Sequence, residues 1–152
     1  MTKPLQTTDQ FNTLYETISK IIEDARKTVY QTANFAMVKA YWHIGKIIVE
    51  EEQNGKERAE YGQYLLKELS KKLTKKHGKS YSERNLRYVR QFYRNFQNWN
   101  AVRSELSWTH YRLLLRVEDD KAREFYLQET IDCNWSTRSL ERQIGKIGRA
   151  HV

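Results

Sequence analysis

An all-α fold, a single compact multi-helix domain containing a helix-turn-helix-like pair, is the class the sequence predicts, and three observations predict it. The only proline is Pro4 and there are six glycines in 152 residues, so little interrupts a helix anywhere downstream. Apolar residues recur three and four apart over most of the chain, and no stretch alternates with the period of a strand. At 39% hydrophobic and 30% charged, the chain can bury one ordinary core and is too short for two comfortable ones.

The elements follow in order. Residues 1–8 read as a polar tail and 9–146 as the helical domain. From Asp9 the chain reads as one long helix, or two meeting near Gln31 to Asn34. Phe11, Leu14, Ile18, Ile21, Ile22, Ala25 and Val29 form its first apolar stripe, continued by Phe35, Val38, Trp42, Ile47 and Val49, and both halves are expected in the core. Asn54 and Gly55 are stop signals. A next helix, "QYLLKELSKKLTKKHG", directs Leu65, Leu66, Leu69 and Leu73 inward and ends at Gly78, with Lys75, Lys76 and His77 where the helix dipole favours cations. "KSYS" is a turn, with either Ser80 or Ser82 as the cap of the helix that follows. "LSWTHYRLLLRV", "DDKAREFYLQETIDCNW" and "STRSLERQI" read as three further helices, the last capped by Ser136.

The helix after that turn, "SERNLRYVRQFYRNFQNW", separates its residues sharply. Leu86, Val89, Phe92, Tyr93, Phe96 and Trp99 fall on one side, Arg87, Arg90 and Arg94 on the other, and Arg84 and Gln91 at the edge of that cluster. After Glu83 it contains no acid to relieve the repulsion among its arginines. The surroundings share this bias. From Lys71 to Arg103 there are ten basic residues and one acid, a charge of +9, whereas the rest of the chain holds seventeen and eighteen. A cationic window on a nearly neutral body is the footprint of a nucleic-acid binder. A helix, a short turn and a second helix with an arginine-rich face is also the order of a helix-turn-helix, whose second helix enters the major groove. Arg84, Arg87, Arg90, Gln91 and Arg94 form the candidate reading face, with Ser82 at its cap. Lys71, Lys72, Lys75, Lys76 and Lys79 are candidate phosphate contacts. Salt bridges from Arg90 and Arg94 to acids of neighbouring helices are the competing assignment for those two.

Other chemistry finds little support. His110, between Trp108 and Tyr111, reads as a packed, hydrogen-bonded residue, and Cys133 as a buried inert thiol. Four histidines and one cysteine show no ligand spacing, so no metal or other cofactor is expected. Asp119, Asp120 and Lys121 read as the acidic start of a helix rather than a metal-dependent nuclease centre, and Glu50 to Glu52 as a solvated helix end. No catalytic residue is expected. The first ten residues lack a signal peptide's apolar segment and no run could cross a bilayer, so the expected location is cytoplasmic with no membrane partner.

Taken together and in order, "YWHIGKIIVEEEQNGKERAEYG", "LLKELSKKL", "HGKSYSERNLRYVRQFYRNF", "LSWTHYRLLLRVED", "REFYLQET" and "NWSTRSLERQI" resemble the N-terminal helical domain of YhcG-like bacterial proteins. In that family this domain of unknown function precedes a PD-(D/E)xK-type nuclease domain. The resemblance implies an all-helical DNA-binding module that delivers a nuclease to its substrate and supplies no catalytic residues itself. The nuclease domain would be a further part of the same protein. The ending "IGRAHV" matches a translated short-read sequencing adapter, AGATCGGAAGAGCACACGTC, so residues 147–152 are expected to be a non-native tail on a gene that continues. Two other readings stand beside DNA: a protein-interaction or homodimerisation module whose ten tyrosines and four tryptophans supply the surface, and an RNA-binding module.

Overall fold

The computed structural model describes residues 8–55 and 59–150. Six α-helices and no strand occur among the described residues: α1 Thr8–Asn54, α2 Ala59–His77, α3 Glu83–Asn95, α4 Trp108–Leu114, α5 Asp120–Asp132 and α6 Thr137–Ala150. One-turn 3-10 helices at Lys79–Tyr81 and Trp99–Ala101 bracket α3.

The core is built on the crossing of α1 and α3. Val38, Tyr41, Trp42, Gly45, Ile48 and Val49 recur three and four apart, so they share one face of α1, and all are buried. On α3 the matching face is Leu86, Val89 and Phe92, each with no exposed surface. Gly45 lets the two backbones meet. A Cβ there would lie 2.4 Å from the Val89 carbonyl oxygen and 3.0 Å from Cβ of Tyr93. One turn away the Trp42 indole N–H donates to the Phe96 carbonyl at 2.7 Å. That bond satisfies one of the carbonyls which the end of a helix leaves without an intrahelical partner.

The remaining helices close this crossing. Tyr111 of α4 is fully buried against Phe92 and Phe96, with ring centroids 4.8 and 5.3 Å away. Its hydroxyl donates to the Arg103 carbonyl and accepts the Arg103 N–H, and burial pushes the phenol up to about 12. Ser107 and His110 cap α4 reciprocally: the Ser107 hydroxyl accepts the His110 N–H, and His110 Nδ1 accepts the Ser107 N–H. The other ring nitrogen, Nε2, sits 2.9 Å from the Trp135 carbonyl and binds α4 to the start of α6. Asp119 and Ser136 cap α5 and α6, as the sequence predicts. Trp42 is buried and Trp99, Trp108 and Trp135 pack against the same cluster, so all four tryptophans serve the core. A smaller cluster of Ile48, Leu66 and Leu86 seats α2, with Leu69 and Leu73 against it.

Several expectations are corrected. No break occurs at Gln31 to Asn34, because neither glycine nor proline interrupts the ladder and α1 runs unbroken. The first stripe does not join the core: Phe11 is 45% exposed, Ile18 48% and Ile21 63%, because α3 and α4 pack on the second half of the helix. Ile47, likewise expected to continue the apolar pattern, is exposed. Cys133 is exposed at the end of α5, and its thiol is pushed up by its hydrogen bond to the Glu129 carboxylate, so it is a poor nucleophile without being buried. Helix α6 extends to Ala150, into the expected tail, whose last two residues lie outside the described residues together with 1–7.

Gly45→Ala is expected to destabilise the domain by at least about 2 kcal/mol in chemical denaturation, since a backbone oxygen blocks the methyl. Gly145→Ala, where nothing lies within 4 Å, should stabilise α6 by about 0.5–1 kcal/mol. Burial holds His110 below the ordinary imidazole pKa of about 6.5. As pH falls the unfolded chain takes up this proton first, so the stability His110 provides is complete above about pH 6.5 and declines as pH drops towards the folded-state value. The thermal midpoint should therefore be lower at pH 5 than at pH 7, with the difference reduced in His110→Gln.

Candidate nucleic-acid interface

The turn between α2 and α3 places basic side chains around one concavity. The final turn of α2 carries Lys75, Lys76 and His77, all exposed. The chain then reverses at Gly78, whose φ of +99° is readily adopted only by glycine. Its N–H returns to the Thr74 carbonyl at 3.0 Å. Lys79 to Tyr81 form the one-turn connector, and the Ser82 hydroxyl caps α3 by accepting the Asn85 N–H at 3.2 Å. The capping oxygen is thus that of Ser82, not Ser80.

Beside this cap lies an open cavity of about 240 Å³ lined by Tyr41, Lys79, Ser80, Ser82, Arg84, Asn85, Trp108 and Arg112. Three lining residues are cationic and none is acidic. The α3 N-terminus adds partial positive charge and unpaired backbone N–H groups. Arg112 is the most informative member. Its Nε is buried and has no hydrogen-bond partner among the described residues, a state that costs free energy unless an acceptor arrives. Its guanidinium lies 4.6 Å from the Tyr88 ring centre and that of Arg84 lies 5.9 Å away, so one aromatic ring orients both. The Arg84 guanidinium beside the Tyr88 hydroxyl, helped by Arg112, holds that phenol below its ordinary value. The arrangement suits a phosphate or another small oxyanion.

The predicted site residues separate into two groups. Lys79, Ser82 and Arg84 line the cavity. Lys72, Lys75, Lys76, Arg87 and Gln91 are exposed next to it in sequence, Gln91 donating to Asn95 and Lys71 standing 3.7 Å from Glu68. Arg90 and Arg94 turn instead to α1. Arg90 Nη1 bonds Glu52 Oε2 at 2.8 Å and Arg94 Nη2 lies 3.9 Å from Oε1 of the same residue. Glu52 is only 13% exposed, so it is a half-buried anchor between α1 and α3 and not the solvated helix end expected of it. Sequence reasoning missed Arg112, Asn85 and Tyr88. Arg112 stands between the buried Tyr111 and Leu113 and nothing local marks it, whereas Tyr88, between Arg87 and Arg90 and one turn after Arg84, was a readable signal.

The DUF1016 N-terminal domain family matches residues 17–148. The chain belongs to this family. It is also 33% identical to the protein of Escherichia coli (strain K12) named "Putative nuclease YhcG", over 170 aligned positions that cover 91% of this chain and 45% of that protein. The chain therefore spans less than half the length of the curated relative it matches. No solved structure matches it. The match to this DUF1016 N-terminal domain covers the α1–α3 crossing, the turn and the cavity, but begins within the exposed half of α1.

The division of arginines predicts a division of phenotypes. Arg90→Ala should destabilise the domain by about 1–3 kcal/mol, because it strands the half-buried Glu52 carboxylate. Arg87→Ala should change stability by less than about 0.5 kcal/mol in the same denaturation experiment.

Proposed function

We propose that this domain binds DNA, that it is itself non-catalytic, and that it targets a larger bacterial nuclease to its substrate in the cytoplasm. The observation that carries the reading is the acid-free cavity at the α3 N-terminus, with the buried, unpartnered Nε of Arg112 among its walls. A backbone phosphate seated there would accept from Arg112, Arg84 and the Ser80 and Ser82 hydroxyls. Lys75, Lys76 and Lys79 would follow the adjoining phosphates. In this reading α2 and α3 act as a helix-turn-helix and α3 enters the major groove, with Arg87 and Gln91 within reach of base edges. Arg90 and Arg94 serve mainly to hold α3 on α1 at the angle this docking needs. The kinship with a protein whose name includes a nuclease supports the targeting role, since the catalytic part would lie in the portion of the relative that this chain does not span.

With ~4 to 6 phosphate contacts, the log-log dependence of affinity on salt should have a slope of about −4 to −5. Fluorescence anisotropy with labelled duplex DNA checks it, and a slope near zero would remove the electrostatic basis of the proposal. Arg84→Glu with Arg112→Gln should weaken binding at least about tenfold while leaving circular dichroism unchanged. Stronger binding to single-stranded RNA than to any DNA form would favour the RNA reading instead.

A further inference from the structure

Residues 8–34 of α1 lie outside the core as a single helix about 40 Å long, with Thr28, Gln31 and Thr32 lining a groove beside Ser104 and Glu105. Their apolar side chains are not scattered. Phe11, Ile18 and Ala25 repeat every seven residues, as do Leu14 with Ile21, and Tyr15, Ile22 and Val29. This is a heptad seam with apolar first, fourth and fifth positions, the pattern that pairs one helix with another. At ~100° per residue, the seam lies roughly on the opposite side of α1 from the Val38–Val49 face, so it is not the frayed edge of the core face. The seven larger side chains are 45–65% exposed. By rough estimate they present ~700 Å² per copy, close to the ~800 Å² per partner typical of a stable interface.

Charge argues against a nucleic-acid occupant, and side-chain size sets the direction in which a second copy fits. The segment holds three basic and four acidic residues, so it is no extension of the cationic surface. Asp9, Glu16 and Glu23 fall on the side of the helix away from the seam, with Lys20, Arg26 and Lys27 beside them and Lys20 tied to Asp24 at 3.1 Å, so the seam itself carries no charge. Side by side in the same direction, two copies would set Phe11 against Phe11 and Ala25 against Ala25, crowding one end of the seam and leaving the other underfilled. In opposite directions the helix dipoles oppose. With Ile18 opposite Ile21 of the second copy, Leu14 meets Ala25 and Phe11 meets Thr28, so large side chains face small ones along the seam.

We propose that residues 8–34 pair with the same segment of a second copy as an antiparallel two-helix coiled coil, leaving the two helical bodies at opposite ends. Sedimentation equilibrium of the 152-residue chain at about 100 µM should give twice its 18.3 kDa mass, and Ile18→Glu with Ile22→Glu should give the monomer with the core's thermal midpoint retained. In a Cys133→Ser background, a Leu14→Cys chain mixed with an Ala25→Cys chain should form the mixed disulfide in preference to either homodisulfide. A wild-type monomer at that concentration, a dimer that survives both glutamates, or a preference for homodisulfides would each overturn the proposal.

Discussion

The fold depends on how closely α1 approaches α3 at Gly45. With a side chain excluded at that point, the Val89 carbonyl comes within 2.4 Å of where a Cβ would sit, and two helical backbones share a contact that no other residue type would permit. Everything that defines the core radiates from it. Trp42 can reach the last carbonyls of α3 only because the axes are so near, and Phe92 and Phe96 are thereby held where Tyr111 of α4 packs across them. The half-buried Glu52 secures the same pair of helices farther along α1, accepting from Arg90.

This crossing also decides what each arginine of α3 can do. A helix alternates its faces every few residues, so fixing the Val89 face against α1 fixes the others. Arg90 and Arg94 are turned towards Glu52, while Arg84 and Arg87 are left to solvent beside the α2–α3 turn. Arg112 arrives from α4, held there by the burial of Tyr111, Leu113 and Leu114 around it. The cationic cavity is consequently made by three elements distant in sequence, each placed by the apolar contacts of its opposite face. Among the described residues two buried side-chain atoms lack a hydrogen-bond partner, Arg112 Nε in this cavity and Glu52 Oε1 at the α1–α3 anchor.

Much of this was legible in the chain. The apolar face of α3 was readable residue by residue, as were the caps at Asp119 and Ser136, because those signals are local: helical period and a short oxygen-bearing side chain before a helix. The role of Glu52 was not, since it depends on a tertiary partner 38 positions away. Nor could periodicity reveal that Phe11 to Val29 lie outside the core, because an amphipathic stripe has the same pattern whether its cover comes from the same chain or another. Arg112 carries no local mark at all. Gly45 did carry one, as a lone glycine within the helical stretch "YWHIGKIIV", the usual sign of a close backbone approach.

The most direct test of the central functional claim is where DNA lands on the chain. Amide hydrogen exchange with and without duplex DNA resolves this segment by segment. Added protection is expected across Lys75–Gln91 and at the Arg112 segment of α4, with residues 8–34 unchanged. Protection confined to α5 and α6, or to the overhanging half of α1, would contradict it.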